Sequence, residues 1–275
     1  MLGRCRLCDN IGEYDEWLKH FLCVQHREEL IVPEREEARS VLLFSGGMDS
    51  LIAYFYVTSY YEEPIDACLF VDVGQRYRDM EIEACLKVKS LKEDFPLRIR
   101  KGPDLSISEA PDAYIPLRNL YLICEAVTCF SGVKKIYIAC QRGENYVSDR
   151  SLTFTELTSV LLEKLEGVRV VNPLIYVTKI DMVEWYVENS FPIDLLYATV
   201  GCYNPINGKH CGQCSACFRR SVAFEYCGLP LDPMEHDIRK WEGIQKYIND
   251  IREKRMEKRR ETQTLTVLKK WGYTI

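Results

Sequence analysis

From Val41 onward the apolar residues follow two alternating rhythms. Short unbroken runs, Val41-Leu42-Leu43-Phe44 and Ala67-Cys68-Leu69-Phe70-Val71-Asp72-Val73, alternate with segments where apolar residues recur among charges. Unbroken runs suit strands buried on both faces, and the slower rhythm suits helices lying on a sheet. The pattern therefore predicts an α/β fold, a doubly wound parallel sheet. Further strands are expected at Leu97-Arg98-Ile99-Arg100, over Lys135 to Cys140 and at Val168-Arg169-Val170-Val171. Helices are expected from Leu51 through Val57, from Met80 to Lys92, from Asn119 to Phe130, over 153–165 and from Lys179 to Glu188. Thr178 caps the last of these, with Asp181 at the capping-box distance. Pro103, Pro111 and Pro116 keep 102–116 from forming a long helix. The polar loop Gln141 to Arg150 leaves the carboxyl end of a strand, where open α/β sheets hold ligands.

The chemistry starts between the first strand and the first helix. Ser45-Gly46-Gly47-Met48-Asp49-Ser50 is a turn poor in Cβ atoms that feeds the positive end of a helix, a geometry that binds anions. The six residues are those of the PP-loop, which holds pyrophosphate in enzymes that split ATP into AMP and pyrophosphate. No Gly-Lys-Ser/Thr follows the glycines, so a Walker loop is excluded. Ser45, Gly46, Gly47 and Ser50 supply N–H and hydroxyl donors for the leaving pyrophosphate. Asp49 is expected to bind magnesium or brace the loop.

Composition adds a redox compartment and two metal sites. The 275 residues carry a net charge of −5, which gives no general reason to bind polyanions. No apolar run is long enough for a membrane span, and the N-terminus lacks a signal-peptide core, so a cytoplasmic protein is expected. Thirteen cysteines is an odd number, and it favours thiolate–metal sites over a disulfide framework. Cys5-x2-Cys8 and Cys23-x2-His26 have the spacing of a structural zinc site, with His20 as the alternative fourth ligand. Tyr14, Trp17, Leu18 and Phe21 are expected to cover it as one helical face. Cys202, Cys211, Cys214 and Cys217 fall within sixteen residues and describe a closed four-thiolate zinc site, with iron–sulfur as the other option. The expected organisation is a zinc module at 1–34, a nucleotide-binding domain at 40–200, a four-cysteine segment at 201–233 and a helical tail at 234–275. Residues 34–39 read as a solvated linker or short helix. The basic run 252–260 is expected on a helix, and Leu265, Val267, Leu268, Trp271 and Tyr273 as a segment docking on the body or on a second subunit.

Ser45 to Ser50, Gln75-Arg76-Tyr77, Ile115-Pro116-Leu117-Arg118-Asn119, and Gly201-Cys202-Tyr203-Asn204 followed by Cys211 to Arg220 occur in this order. Together they resemble the QueC family of 7-cyano-7-deazaguanine synthases from about Val41 to Gly228. The resemblance implies a PP-loop fold, a structural zinc, and ATP-dependent conversion of 7-carboxy-7-deazaguanine to the nitrile through an adenylate and an amide. It implies Arg76 and Arg118 as cations for triphosphate or substrate carboxylate, Gln75 and Asn119 as substrate contacts, and Lys179 as a further site lysine. Asp149 could accept hydrogen bonds from a guanine edge. Leu117 stands where the family usually has glycine, so that loop is expected to sit differently. QueC-like proteins also occur in anti-phage operons, including type IV CBASS, where a deazaguanine carboxylate joins a protein amine. The N-terminal module would suit such a partner. The remaining alternative is a PP-loop enzyme that modifies tRNA.

Overall fold

A computed structural model describes residues 1–32, 35–142 and 147–275. The central sheet holds β5 (Ser40–Leu43), β6 (Ala67–Asp72), β7 (Leu97–Lys101), β9 (Lys135–Tyr137) and β10 (Arg169–Val171) in the order β10-β9-β5-β6-β7. Every neighbouring pair in it is parallel. The chain builds outward from β5 in one direction and then in the other. The switch point, where open α/β sheets bind ligands, therefore lies between β5 and β9.

Side-chain alternation along the strands divides the core in two. Leu42, Cys68 and Phe70 point into one cluster with residues of α2 (Met48–Phe55), α3 (Arg78–Leu91) and α6 (Lys179–Glu188). Val41, Leu69 and Val71 point into the other, with residues of α4 (Arg118–Cys129) and α5 (Leu152–Glu166). All of β6 is buried, as its unbroken apolar run requires. Thr178 and Asp181 form the expected capping box on α6. The predicted strand over Lys135 to Cys140 stops at Tyr137.

The N-terminus departs from expectation. Tyr14 and Phe21 lie in a three-stranded antiparallel sheet of β1 (Leu2–Arg4), β2 (Ile11–Asp15) and β3 (His20–Leu22), with Trp17 and Leu18 in the β2–β3 turn and α1 (Val24–Leu30) following. Tyr14 pairs with Phe21 across strands, so no helical face carries them. Gly12 explains the closure: a Cβ there would lie 2.3 Å from the Leu22 carbonyl carbon. Leu18 and Leu22 join the α3-side core. Trp17 Nε1 donates to Asp72 at 2.7 Å, and Arg78 bridges Asp72 and the Trp17 carbonyl at 2.8 and 3.1 Å. Glu83 accepts from Arg6 at 2.5 Å and faces His20 at 3.2 Å, and these partners, His20 first, hold its carboxyl down to about 2.

The expected linker is also ordered where it is described: β4 (Glu36–Glu37) pairs in parallel with β8 (Phe130–Ser131). After α7 (Ile193–Ala198), α8 (Ser215–Tyr226) carries the last cysteines, and the tail folds as α9 (Ile244–Arg252) and α10 (Lys258–Lys270). The basic run thus spans a break rather than one helix, and Lys254 takes a left-handed φ of 54° after α9 ends. Val267 and Leu268 are fully buried in the α3-side core, so the tail docks on its own body.

Candidate active site and metal centres

A cavity of about 240 Å³ opens at the carboxyl ends of β5, β6 and β9. Its floor is the Ser45–Ser50 turn at the start of α2. Gly46 has a φ of 69°, and a Cβ on it would sit 2.7 Å from the Glu81 carbonyl, so only glycine fits between this loop and α3. The Ser50 hydroxyl donates to the Gly47 carbonyl at 2.9 Å, and the Gly46 carbonyl accepts from Val200 N–H at 3.0 Å. The loop is therefore fixed from both sides before any ligand arrives.

Lys179, the first residue of α6, reaches the loop from the opposite wall. Its Nζ lies 2.7 and 2.9 Å from the two oxygens of Asp49. The aspartate that the sequence suggests as a magnesium ligand or loop brace is thus an ion-pair partner of Lys179. Arg118 and Asn119, at the start of α4, also line the cavity. Arg118 donates to the Tyr77 hydroxyl at 2.8 Å, and burial pushes that phenol up to about 12. Leu117, which stands where the resemblance would place glycine, takes a left-handed φ of 57° directly before Arg118 and Asn119.

Two expected site residues lie outside this wall. Arg76 is held away from it by Glu109 at 3.3 Å and by the Pro111 carbonyl at 2.6 Å. Asp149 is buried behind Asn119: its carboxylate accepts the Asn119 backbone N–H at 3.3 Å, and its carbonyl accepts the Asn119 amide at 2.9 Å. The polar loop at 141–150, expected at the ligand end of the sheet, falls partly outside the described residues, at 143–146.

Glu81 was missed. It lines the cavity beside Gln75, whose amide donates to its Oε2 at 2.5 Å. Burial pushes its carboxyl up to about 7, against the pull of Gln75 and of the Arg118 charge. In the sequence it is one more acid in an amphipathic helix, and only the packing of α3 on the Gly46 turn brings it to the cavity. Arg150 and Arg219 line it too, unassigned before because arginines in a polar loop or on a helix ordinarily face water.

Both ligand sets converge. Cys5, Cys8, Cys23 and His26 present donor atoms all within 4.8 Å of one another, as do Cys202, Cys211, Cys214 and Cys217. A tetrahedral ion with Zn–S of about 2.3 Å separates its sulfurs by roughly 3.8 Å. The Cys8–Cys23 and Cys211–Cys217 sulfurs lie 3.8 and 3.9 Å apart, and His26 Nδ1 is 3.5 and 3.3 Å from Cys5 and Cys23. His20 is turned to Glu83, which leaves His26 as the fourth donor. Backbone N–H groups of Cys211, Gln213 and Cys217 point at the sulfurs of Cys202, Cys211 and Cys214, the arrangement thiolates require. Both sites fit a metal ion.

Residues 96–228 match the family described as "Queuosine biosynthesis protein QueC". The 7-cyano-7-deazaguanine synthase of Methanothermobacter thermautotrophicus is 31% identical over 228 residues, covering 72% of this chain and 99% of that protein. This chain belongs to the QueC family. The synthase of Chlorobaculum tepidum is 30% identical over 229 residues, covering 73% of this chain and 97% of its own. Among solved structures, the U34-tRNA thiolase NcsA from Methanococcus maripaludis aligns at 14% identity over 98% of this chain and 86% of that one. The TM-score of that alignment is 0.33. The QueC-family match takes in Arg118, Lys179 and the four-cysteine segment and stops before α9 and α10. No helix among the described residues is long and apolar enough to cross a membrane.

Proposed function

We propose that this chain is an ATP-dependent carbon–nitrogen ligase of QueC type that activates the carboxylate of 7-carboxy-7-deazaguanine. The observation that carries this reading is the fixed glycine turn at the switch point, which carries Asp49 paired with Lys179 and faces Arg118 across one cavity. ATP enters as its magnesium complex. A carboxylate oxygen attacks the α-phosphorus, the bond to the β-phosphate oxygen breaks, and pyrophosphate leaves with that electron pair. The turn's donors and the positive end of α2 stabilise the departing charge. Lys179 lies within reach of the same loop and compensates charge at the reacting phosphorus. An amine then attacks the acyl carbon, the C–N bond forms, and AMP leaves with the C–O electron pair. The amine's proton goes to Glu81, whose carboxyl titrates near neutral pH, where a general base is most effective. With ammonia the product is the amide; its oxygen then attacks the α-phosphorus of a second ATP, pyrophosphate leaves, and loss of AMP with the two N–H protons gives the nitrile.

The test is exchange of labelled pyrophosphate into ATP with 7-carboxy-7-deazaguanine, followed by mass spectrometry of the products with ammonia present. Lys179→Ala is expected to lower exchange by at least about 100-fold, the loss typical of one transition-state donor. Unchanged exchange in that variant would count against the assignment.

A second reading keeps the activation and replaces ammonia with a protein amine. The sheet β1–β3 favours it, because it is anchored on Asp72 at the end of β6 and exposes Met1, Leu2 and Ile11. Intact-mass analysis of proteins encoded in the same operon, after incubation with ATP and the acid, separates the two. Adduct on a protein supports this acceptor, and free nitrile without adduct rejects it. The chain would work in the cytoplasm as a homodimer, in queuosine biosynthesis with ammonia as acceptor and in antiviral defence with a protein amine.

A further inference from the structure

The tail helix α10 lies beyond the QueC-family match, yet it touches the helix that delivers Lys179. Gln263, 5% exposed, meets the α6 cap with both ends of its amide. Its Oε1 accepts from Thr178 Oγ1 at 3.1 Å, and its Nε2 donates to Asp181 Oδ1 at 2.5 Å. Thr178 Oγ1 also accepts the Asp181 backbone N–H at 3.2 Å, and Asp181 Oδ2 accepts the Thr178 N–H at 3.4 Å. The amide thus closes a ring through both members of the capping box. Lys179 stands between them in the chain, with its Nζ on Asp49.

We infer that Gln263 is a positioning residue for Lys179, so that the C-terminal tail is a working part of the active site. Arg259 also contacts Asp181, at 2.9 Å, but its side chain is 60% exposed, and an ion pair that open to water contributes little. The buried amide is the stronger constraint, because losing it takes the acceptor from the buried Thr178 hydroxyl and leaves Asp181 Oδ1 held only by the exposed Arg259. A cavity of about 20 Å³, the size of one water, is lined by Lys179, Thr178 and Gln263.

The inference rests on the adenylating reading above, and its test separates the two. Gln263→Leu is expected to lower pyrophosphate exchange about tenfold, the scale of a small misplacement of a reacting group. Leu268→Ala, buried farther along the same helix, serves as the control for simple weakening of the tail. It is expected to leave exchange per folded molecule unchanged. In a Lys179→Ala background Gln263→Leu is expected to cost nothing further, because it acts only through that lysine. Amide hydrogen exchange at residues 179–182 is expected to quicken in Gln263→Leu and to stay at the parent rate in Leu268→Ala. An equal loss in both lysine backgrounds, or unchanged exchange in Gln263→Leu, overturns the inference while the ligase reading stands. A parent that shows no pyrophosphate exchange overturns the ligase reading, and the inference with it.

Discussion

Leu117 holds a left-handed conformation, φ 57° and ψ 16°, with its side chain 64% exposed, immediately before the two cavity residues Arg118 and Asn119. A branched residue pays about 1 kcal/mol there, and its exposed side chain recovers little of that by packing. Leu117→Gly is therefore expected to stabilise the fold by up to about 1 kcal/mol in urea denaturation, less the added freedom of the unfolded chain. A drop in stability would show that the Leu117 side chain does more than tolerate the turn. The family comparison leads the sequence to expect a different loop here. The start of α4 is held by the Asp149 carboxylate, which accepts the Asn119 N–H, and Leu117 takes up the left-handed turn before it. Glu81 carries the second prediction at this scale. Its folded carboxyl titrates near 7 against an ordinary value of 4.5, so the folded state holds a proton the unfolded chain has released between those values. That stabilisation is complete below about pH 4.5 and is lost as pH rises through about 7. Glu81→Gln should match the parent in acid and exceed it at pH 8 by about 1–3 kcal/mol. The same variant should keep pyrophosphate exchange and lose amide formation. Loss of both would move Glu81 from the amine step to the binding of ATP or acid.

Among the elements, α8 is the most constrained. It carries Cys217 in its first turn and Arg220 one turn from it, 1% exposed. Arg220 donates to both Asp232 oxygens at 2.7 and 3.0 Å, to Thr199 Oγ1 at 2.7 Å and to the Leu196 carbonyl at 2.8 Å, and it lies over the Phe224 ring. It ties α7, α8 and the chain after α8 into one block against the sheet. Arg220→Leu leaves Asp232 buried without its partner and is expected to cost about 3–5 kcal/mol. Adding Asp232→Asn should recover part of that loss in thermal melts. Full additivity of the two changes would exclude the pairing. The elements themselves were legible where one face was apolar, as in α3, or where the cap was local, as in α6. They were misread where pairing is non-local: β1–β3 depends on Gly12 lying against β3, and β4 depends on a partner almost a hundred residues away.

The whole molecule is a sheet with its binding crevice at the carboxyl ends of its strands and two metal-type sites packed into the core on the α3 side. Both sets of donors contribute residues to the α3-side core, Cys5 and Cys23 from one and Cys202, Cys211, Cys214 and Cys217 from the other. Metal analysis of the purified protein is expected to return two equivalents of zinc per chain. Chelation should lower the melting temperature by several degrees, as expected for loss of ligand-linked stability. Cys8→Ser should reduce the content to one equivalent and loosen β1–β3, raising amide exchange there while α8 stays protected. Retention of two equivalents in that variant would remove Cys8 from the ligand set.

The sequence by itself determined what depends on neighbours along the chain. Alternating apolar runs determined the parallel sheet, the glycines after β5 the anion-binding turn, and close Cys and His spacings the two ligand sets, because each is a property of a few consecutive residues. Only the tertiary structure decided which charged side chains share the cavity. It turned Arg76 outward onto Glu109, put Asp149 behind Asn119, brought Glu81 in through the packing of α3, and joined Lys179 to Asp49 across 130 residues. A long charged side chain reaches several directions from one backbone position, and the packing of whole helices chooses among them.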